Sequence, residues 1–564
     1  MTDIHIIPDT SDREVDWTLD PEAGRELERA ARDAGRAPLR DVRHRFGRNV
    51  SFTIIARVVN MARGVCIVPF LLAHIGLEAY GIWTTIFILV SYVGVTTLGL
   101  SNVYIKYVAE FHARKEYEKA NSLFSTGLAV TVPLCGSIFM GFVLLWGWYS
   151  PWLHLPASHA ADGKEAVLIV LGIFLLSISF NAFGDILYGA QEIASTQIFM
   201  ILSILVECVL IIWLVLIGRG IRGLAEAYLV RVVINDGLTI WWCKRKLKWL
   251  HFSLRLVRRE SLRYVIHFGG VVQIQSMISI FLASVERFVA LVLINASAAG
   301  LLDVAKKWPT SFSSVPTAFF AALLPAASHV DAASEKTDRM RNLRELYLSV
   351  SRYANLCSAF FLALFACWAR PLLHVWLGPE LPMREAVVPL FVVFSLAMHF
   401  HMLTGPGTSV FRGMGRVYEE FTYTIPNLLL LAITLPVAHW IDGSWTPLGI
   451  CVAVSVATAV SACVLMGRVQ VVLKLPIAQF ISAVILPGLA PYLVAFALVW
   501  PLTRMVEAVN RWQGAGVVLV VGIVYAALVG AILHRWVFTG AEKQKGQGMV
   551  RRGLGMLRGR EATA

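Results

Sequence analysis

The sequence predicts an all-α polytopic membrane protein, and three observations support this fold class. Hydrophobic residues make up 57% of the 564 residues and charged residues only 15%, whereas about a quarter of an ordinary soluble domain is charged. The charges cluster between apolar runs of about 20 residues, which is the length of helix that crosses a bilayer. The sequence also lacks the alternating apolar and polar segments that are typical of a transmembrane β-barrel.

Fourteen apolar runs are predicted to be membrane-spanning helices. The boundary between the seventh and eighth runs, near Asn295, is the least clearly marked. In chain order the predicted spans cover residues 50–74, 80–105, 122–149, 165–188, 197–217, 223–243, 264–294, 299–326, 345–368, 385–405, 420–438, 447–466, 480–501 and 515–534.

The distribution of Lys and Arg predicts that both termini are cytoplasmic. With the N-terminus inside, 36 of the 50 Lys and Arg residues fall in inner segments, seven in outer loops and seven within spans. Cytoplasmic loops of membrane proteins carry this excess of positive charge. Basic runs such as those in 244–263 and 535–564 are therefore expected to contact lipid headgroups, and nucleic acid is not an expected partner.

Several short segments recur at a nearly constant spacing along the chain. IGLEAYGI at residues 75–82 resembles INASAAGL at residues 294–301, in the second half of the chain. Two further pairs share one spacing, which is slightly longer than that of the first pair: LYGAQEI (187–193) with FRGMGRV (411–417), and LAEAYLV (224–230) with LGICVAV (448–454).

These repeats predict two lobes of six spans each. Because six is an even number, both lobes begin on the cytoplasmic side and the repeats are parallel. Transporters commonly bind substrate between such halves. The predicted units are a cytoplasmic N-terminal tail (1–49), an N-lobe (50–243), a basic linker (244–263), a C-lobe (264–466), spans thirteen and fourteen (467–534) and a basic cytoplasmic C-terminal tail (535–564).

Motifs of enzymes are absent from the sequence. There is no G-x-x-x-x-G-K-[ST], no H-E-x-x-H and no G-x-S-x-G. No predicted outer loop exceeds about sixteen residues, so a catalytic domain outside the membrane is not expected. We therefore predict no catalytic residue and no metal site. His399 and His401, near the inner end of span ten, either transfer protons or pack as partnered histidines, and packing is the preferred interpretation.

Span one carries two arginines, although a charge at the bilayer centre costs at least a few kcal/mol. At 100° per residue, Arg57, Asn60 and Arg63 fall in one polar sector about 120° wide, together with Thr53 and Gly64. A polar face of this kind is expected to line the interior of the bundle or an aqueous cavity. The alternative is that Arg57, near the inner end, extends to the headgroups.

A second set of cations falls in spans seven and eight. Arg287, Lys306 and Lys307 suggest an anionic substrate, because guanidinium and ammonium groups bind phosphate well. Glu286 and Asp303 are close enough in sequence to be partners, so the alternative is an internally neutralised network. Pro309, Pro316 and Pro325 predict that span eight is bent.

Three carboxylates are candidates for coupling transport to an ion, either H+ or Na+. They are Glu207 in span five, Glu286 and Asp303. The alternative for Glu207 is that it pairs with Arg231. No other cofactor is expected.

Several motifs resemble the bacterial polysaccharide and O-antigen flippases of the multidrug/oligosaccharidyl-lipid/polysaccharide (MOP) superfamily. The matching pieces are GLEAYGIW (76–83), LGLSN (98–102), YVAEF (107–111) and the junction SVERFVALVLINASAAGLLDVAKK (284–307). The resemblance covers roughly residues 45–470. It implies a fold like that of the multidrug (MATE) transporters of this superfamily, with two additional C-terminal helices.

Span one also resembles that of the lipid II flippase, which has two arginines at the spacing of Arg57 and Arg63. Ala56, Asn60 and Gly64 depart from a Ser, a Gly and an Asp in that pattern. The missing acid at position 64 argues against lipid II itself as the substrate. In the lipid II flippase branch the last two helices form a groove for the lipid tail, which implies the same role for spans thirteen and fourteen.

The resemblance implies a flippase that moves an undecaprenyl-pyrophosphate-linked oligosaccharide across the bacterial inner membrane by alternating access. Arg57, Asn60, Arg63, Arg287, Lys306 and Lys307 would hold the pyrophosphate or acidic sugars. Expected partners are the lipid-linked oligosaccharide, membrane lipids, a polysaccharide polymerase and proteins that set chain length. Alternatives are a multidrug antiporter, a lipid II flippase, an envelope enzyme such as a polymerase, and a structural scaffold.

Overall fold

Helices form all the regular structure of the described chain. In a computed structural model the described residues are 21–94, 100–149, 151, 160–313, 315, 317, 323, 336–378, 383–507 and 509–537, and every regular element within these ranges is helical. Ten helices in this part of the chain are long and apolar enough to cross a membrane. The prediction of an all-α polytopic membrane protein is therefore confirmed.

The main helices are numbered here in chain order. Shorter elements are the four-residue helices Trp146–Tyr149 and Ile477–Phe480 and a π-helical turn, Ile481–Ile485. The numbered helices are α1 (Pro21–Val93), α2 (Leu100–Ala113), α3 (Tyr117–Leu144), α4 (Ala160–Gly189), α5 (Ile193–Leu216), α6 (Gly220–Lys246), α7 (Arg259–Leu293), α8 (Ala296–Phe312), α9 (Lys336–Cys367), α10 (Ala369–Leu377), α11 (Arg384–Met402), α12 (Thr404–Gly413), α13 (Phe421–Asp442), α14 (Pro447–Leu473), α15 (Leu486–Glu507) and α16 (Arg511–Ile532).

The helices account for the predicted spans, although the number fourteen stays a prediction. One candidate span, Ser51–Val90, covers nearly all of the first predicted span and the first part of the second. Helices α6, α7 and α8 lie where spans six to eight were predicted, but they are outside the ten because they are more polar or shorter. Helices α7 and α8 carry Arg287, Lys306 and Lys307, which are most of the charged residues predicted to bind substrate.

Three boundaries differ from the prediction. Helix α2 runs through Ala113, into a segment predicted as an inner loop, and α12 likewise forms where a loop was expected. Helix α10 lies within a predicted outer loop, and its Leu373 and Trp376 are buried. These helices are too short or too amphipathic to be detected by a search for apolar runs long enough to span a bilayer. Pro309 lies inside α8, whereas Pro316 and Pro325 are outside the described residues.

The first repeated segment interrupts the chain at equivalent positions in the two lobes. Gly76 has a φ of 78°, which ends the first part of α1. Asn295, at the matching position of the second lobe, is extended, and its side chain accepts a hydrogen bond from the Ala298 N–H at 2.8 Å, which caps α8. Glycine suits position 76 because this backbone conformation is unfavourable for a residue with a Cβ atom.

Four of the turns that are predicted to be inner share one geometry. In each of them a residue with positive φ follows the helix, and the next N–H bonds to the carbonyl five residues back, which is a Schellman motif. Gln191 and Gly415, which occupy the same position in the two copies of the second repeated segment, both adopt it. The bonds are Glu116 N to Phe111 O, Glu192 N to Leu187 O, Arg416 N to Phe411 O and Leu475 N to Gln470 O.

Helix α1 connects the two lobes. It packs on α5 in the N-lobe and on α8 in the C-lobe. A Cβ atom on Gly81 would lie 1.9 Å from the Ala296 carbonyl oxygen, and one on Gly300 would lie 3.0 Å from the Gly81 Cα. Gly81 and Gly300 are the glycines that the first repeated segment pairs with each other. The lobes therefore approach so closely at this point that neither position has room for a side chain.

A second contact between the lobes depends on a proline. Pro69 has no N–H, so the Val65 carbonyl four residues earlier in α1 lacks its helical partner. The indole N–H of Trp376, on α10, donates to this carbonyl at 2.8 Å. The proline thus exposes an acceptor in the middle of an apolar helix, and a tryptophan of the C-lobe satisfies it.

Candidate functional site

The N-lobe ion cluster consists of Arg63 on α1, Glu207 on α5 and Arg231 on α6. Arg63 Nη1 donates to Glu207 Oε2 at 2.6 Å, and Arg231 Nε lies 3.3 Å from Oε1 of the same carboxylate. Glu207 is only 2% exposed. A buried carboxylate needs such partners to remain ionised. Two guanidinium groups share this one carboxylate, and Asp236, on the same helix as Arg231, also interacts electrostatically with Arg231.

Arg57 and Asn60 lie on a more open side of α1. Both side chains are exposed, and no ion pair joins Arg57 to a carboxylate in the described chain. Arg63, by contrast, is only about 20° away from Ala56 around the helix axis. Because Ala56 is fully buried, Arg63 lies close to the packed side of α1. The single polar face predicted for α1 is therefore divided: its Arg63 edge is packed and its Arg57 edge is open.

The C-lobe ion cluster consists of five side chains on α7 and α8. Glu286 is fully buried and Asp303 nearly so, and their contacts are those of the alternative interpretation, an internally neutralised network. The contacts are Lys306 Nζ to Glu286 Oε1 at 2.7 Å, Arg287 Nη1 to Asp303 Oδ1 at 2.8 Å and Lys307 Nζ to Asp303 Oδ2 at 2.9 Å. Each of the three cations thus has a carboxylate partner.

One carboxylate oxygen in this cluster differs from the others. Glu286 Oε2 is buried and has no hydrogen-bond partner among the described residues. Both oxygens of Asp303 and both oxygens of Glu207 contact cations. Of the three acids predicted to couple transport to an ion, only Glu286 has an oxygen left for a proton or a metal cation.

The C-lobe ion cluster is joined to α1 of the N-lobe. The hydroxyl of Tyr80 donates to Asp303 Oδ2 at 2.6 Å, next to the contact of Gly81 with α8. A second bond runs between the lobes from Ser284 Oγ to the Tyr92 hydroxyl at 3.1 Å. By the predicted topology these contacts close the outer side of the protein.

The two histidines of span ten are packed and partnered. His399 Nδ1 lies 3.1 Å from Ser358 Oγ, and His401 Nδ1 lies 3.0 Å from the Tyr423 hydroxyl. These contacts fit a packing role, the interpretation that the sequence analysis preferred to proton transfer.

Sequence reasoning missed Tyr80, Gly81 and Trp376. The repeat alignment had already paired Gly81 with Gly300, but it gave no sign that the two glycines touch. The bond from Trp376 had a detectable signal in Pro69, which frees one carbonyl of α1.

A family model and a curated relative match this chain. The model, described as polysaccharide biosynthesis protein, matches residues 75–381, which is more than half of the chain. The relative, from Bacillus subtilis (strain 168), is described as uncharacterized membrane protein EpsK. It is 22% identical over 408 residues, covering 71% of this chain and 77% of that protein.

Solved structures with the same fold include two membrane transporters. An inward-facing MATE-family multidrug resistance transporter of the MOP superfamily is 14% identical, with a TM-score of 0.61 over 76% of this chain and 98% of that one. The lipid II flippase MurJ in an inward closed conformation is 13% identical, with a TM-score of 0.60 over 86% of this chain and 98% of that one. Together with the family match, they show that this multi-pass membrane protein has the fold of the MOP-superfamily transporters and belongs to the polysaccharide biosynthesis protein family.

Proposed function

We propose that the protein moves an undecaprenyl-pyrophosphate-linked oligosaccharide across the bacterial inner membrane, with both termini in the cytoplasm. The observation that carries this proposal is the exposed Arg57 beside the two arginines of the N-lobe ion cluster. Arg63 and Arg231 share the single carboxylate of Glu207, and Arg57 is exposed without an ion pair among the described residues. Arginines in this arrangement suit a pyrophosphate, which accepts bidentate, charge-assisted hydrogen bonds.

In this proposal Arg57, Asn60 and Arg63 contact the pyrophosphate first. Asn60 lies one turn from each arginine and adds an amide donor. The cations Arg287, Lys306 and Lys307 are already held by Glu286 and Asp303. We therefore assign the C-lobe cations a secondary role, in which they contact acidic groups of the substrate after the lobes move.

Alternating access accounts for the contacts between the lobes. Gly81 and Gly300 touch, and Tyr80 bonds to Asp303, so the lobes are closed along this edge. Opening to the outside requires these contacts to break while the inner side closes. The prenyl tail is proposed to lie against α15 and α16, where exposed apolar side chains include Leu493 and Phe496.

An ion gradient is the proposed energy source, and Glu286 is the proposed coupling residue. Its unpartnered Oε2 can take a proton or Na+, and its other oxygen holds Lys306. Binding of a proton or Na+ to Glu286 would weaken its ion pair with Lys306. This would alter the C-lobe ion cluster, which joins the two lobes. A polysaccharide polymerase and proteins that set chain length remain proposed partners.

Two alternatives differ in the charge of their substrates. A multidrug antiporter usually carries cations, which the exposed Arg57 beside two further arginines disfavours. A lipid II flippase would carry the same pyrophosphate, but Gly64 stands where that branch has an acid. Resistance to cationic drugs on expression of the protein would favour the antiporter.

Replacement of Arg63 tests the proposal in cells that depend on this protein for surface glycan. Arg63→Ala removes a charge-assisted hydrogen bond worth about 1.5–3 kcal/mol, so we expect about 10- to 100-fold less exported glycan. Arg63→Lys should retain part of the export, since it keeps the charge but not the bidentate geometry. The control is Arg341→Ala, which removes an arginine whose side chain is 75% exposed. Normal export by Arg63→Ala at equal protein levels would refute the pyrophosphate role.

A further inference from the structure

A cavity of about 430 Å³ lies inside the C-lobe, apart from the N-lobe ion cluster. Its described walls come from helices α7, α8 and α11–α14. Lys306 borders it on α8, while Arg412 and Glu420 border it where α12 meets α13. The volume is in the range of about 300–1,000 Å³ that is typical of small-molecule sites.

The charged groups around this cavity neutralise one another. Lys306 is paired with Glu286 at 2.7 Å. Arg412 holds Glu420 through two parallel hydrogen bonds, of 2.5 and 2.9 Å. No described charge in the wall is therefore left for a free anion or cation, so a neutral polar ligand fits better than pyrophosphate or a cationic drug.

The remaining polar groups suit a ligand with many hydroxyls. Thr310 and Thr408 donate to carbonyls of their own helices, and Thr404 donates to the His401 carbonyl at the end of α11. Their hydroxyl oxygens remain able to accept hydrogen bonds. The Asn427 amide also lines the cavity; it forms a side-chain hydrogen bond with Tyr423 and has further donor and acceptor capacity. Ser455 also lines the cavity, and its hydroxyl forms a side-chain hydrogen bond with the Cys451 thiol.

Aromatic rings border the same space. Phe394 and Tyr423 line the cavity, and the hydroxyl of Tyr423 is held by His401 at 3.0 Å. Pockets for small molecules combine apolar and aromatic surface with a few fixed polar groups. A pyranose ring has this character, with apolar C–H faces and hydroxyls around its edge.

We infer that the C-lobe cavity binds a neutral sugar residue of the transported glycan. The inference rests on the proposed function and deepens it: the pyrophosphate is bound by the arginines of the N-lobe, and the sugar by hydroxyl and amide groups of the C-lobe. The substrate thus bridges the lobes while they are in contact along α1 and α8.

Ligand-observed NMR on the purified full-length protein tests this inference. The probes are free glucose, galactose, N-acetylglucosamine and glucuronate. Thr458→Trp places an indole in the cavity, and Val460→Trp, on the exposed side of the same helix, is the matched control. Asn427→Leu removes the amide without filling the cavity, and guards against misfolding of the tryptophan variant.

We expect saturation transfer from the protein to at least one neutral sugar. The signal should fall at least fivefold in Thr458→Trp and in Asn427→Leu, and should be unchanged in Val460→Trp. Absence of any neutral-sugar signal, binding of glucuronate alone, or equal signals in Thr458→Trp and Val460→Trp would overturn the inference. If sugar binding fails while Arg63→Ala still loses export, the cavity assignment fails and the flippase proposal stands. If sugar binding holds while Arg63→Ala exports normally, the cavity assignment stands and the pyrophosphate role of Arg63 fails.

Discussion

In the N-lobe two arginines share one buried carboxylate, whereas in the C-lobe three cations are held by two buried carboxylates. The N-lobe cluster also has the exposed Arg57 beside it, without an ion pair in the described chain. The C-lobe cluster is tied to the opposite lobe by Tyr80. The count of intramembrane cations alone does not distinguish these two arrangements. The exposure of Arg57 does, because this arginine is available to an anion, whereas each C-lobe cation is held by a carboxylate in a cluster that is joined to α1.

The largest effect is expected when the C-lobe cluster loses its central acid. Asp303→Ala leaves Arg287 and Lys307 without their closest carboxylate and Tyr80 without its acceptor. Removing one partner of a buried ion pair costs about 3–5 kcal/mol. The free energy of unfolding in mixed micelles should fall by that amount. Glu110→Ala, which breaks the exposed pair with Arg114, should change it by less than about 1 kcal/mol; equal losses would contradict a structural role for Asp303.

A smaller loss is expected in the N-lobe. Glu207→Gln removes the charge shared by Arg63 and Arg231, but these guanidinium groups are 30% and 23% exposed and retain some hydration. We expect a loss of about 1–3 kcal/mol in the same unfolding measurement. A loss larger than that of Asp303→Ala would reverse the comparison between the lobes.

The contact between the lobes is tested by enlarging Gly81. Gly81→Leu places a side chain where the Ala296 carbonyl oxygen lies 1.9 Å from a Cβ atom. Overpacking of this kind costs about 1–3 kcal/mol, and here it should separate the lobes. Glycan export should fall with it. Gly136→Leu is the control, since no atom lies within 4 Å of its Cβ position; unchanged export by Gly81→Leu would show that the contact is not needed.

The smallest effect is expected at the carbonyl exposed by Pro69. Trp376→Phe keeps an aromatic ring but removes the N–H that bonds to Val65 O. A single hydrogen bond contributes about 0.5–1.5 kcal/mol, and the unfolding free energy should fall by that amount. Trp512→Phe, at an 81% exposed position, should have no measurable effect. Equal results for the two tryptophans would mean that the bond contributes nothing to the contact.

The sequence was sufficient for the fold class and for the local charge pairs. Glu286, Arg287, Asp303, Lys306 and Lys307 lie on two consecutive helices, so helical spacing alone suggested their pairing. The turns at the repeated segments were also visible as recurring glycines and short polar residues.

The remaining contacts depend on how distant helices pack. Arg63 and Glu207 are 144 residues apart, and Tyr80 and Asp303 are 223 residues apart. Which residue of α1 faces α5, and which faces α8, is set by the packing of three helices and not by the pattern within one. For the same reason the helical wheel placed Arg57 and Arg63 on one face, although only Arg63 reaches a buried acid.

The central claim is that Arg57 and Arg63 of α1 bind pyrophosphate. The most direct test measures lipid flipping by the purified protein. Proteoliposomes would hold a fluorescent polyprenyl-pyrophosphate sugar, or the matching monophosphate sugar, and dithionite quenching would report its movement between leaflets. We predict that Arg57→Ala slows flipping of the pyrophosphate lipid about tenfold or more, since a charge-assisted hydrogen bond is lost, while Arg341→Ala leaves it unchanged. Equal rates for Arg57→Ala and the unmodified protein would contradict the claim and indicate that Arg57 extends to the lipid headgroups.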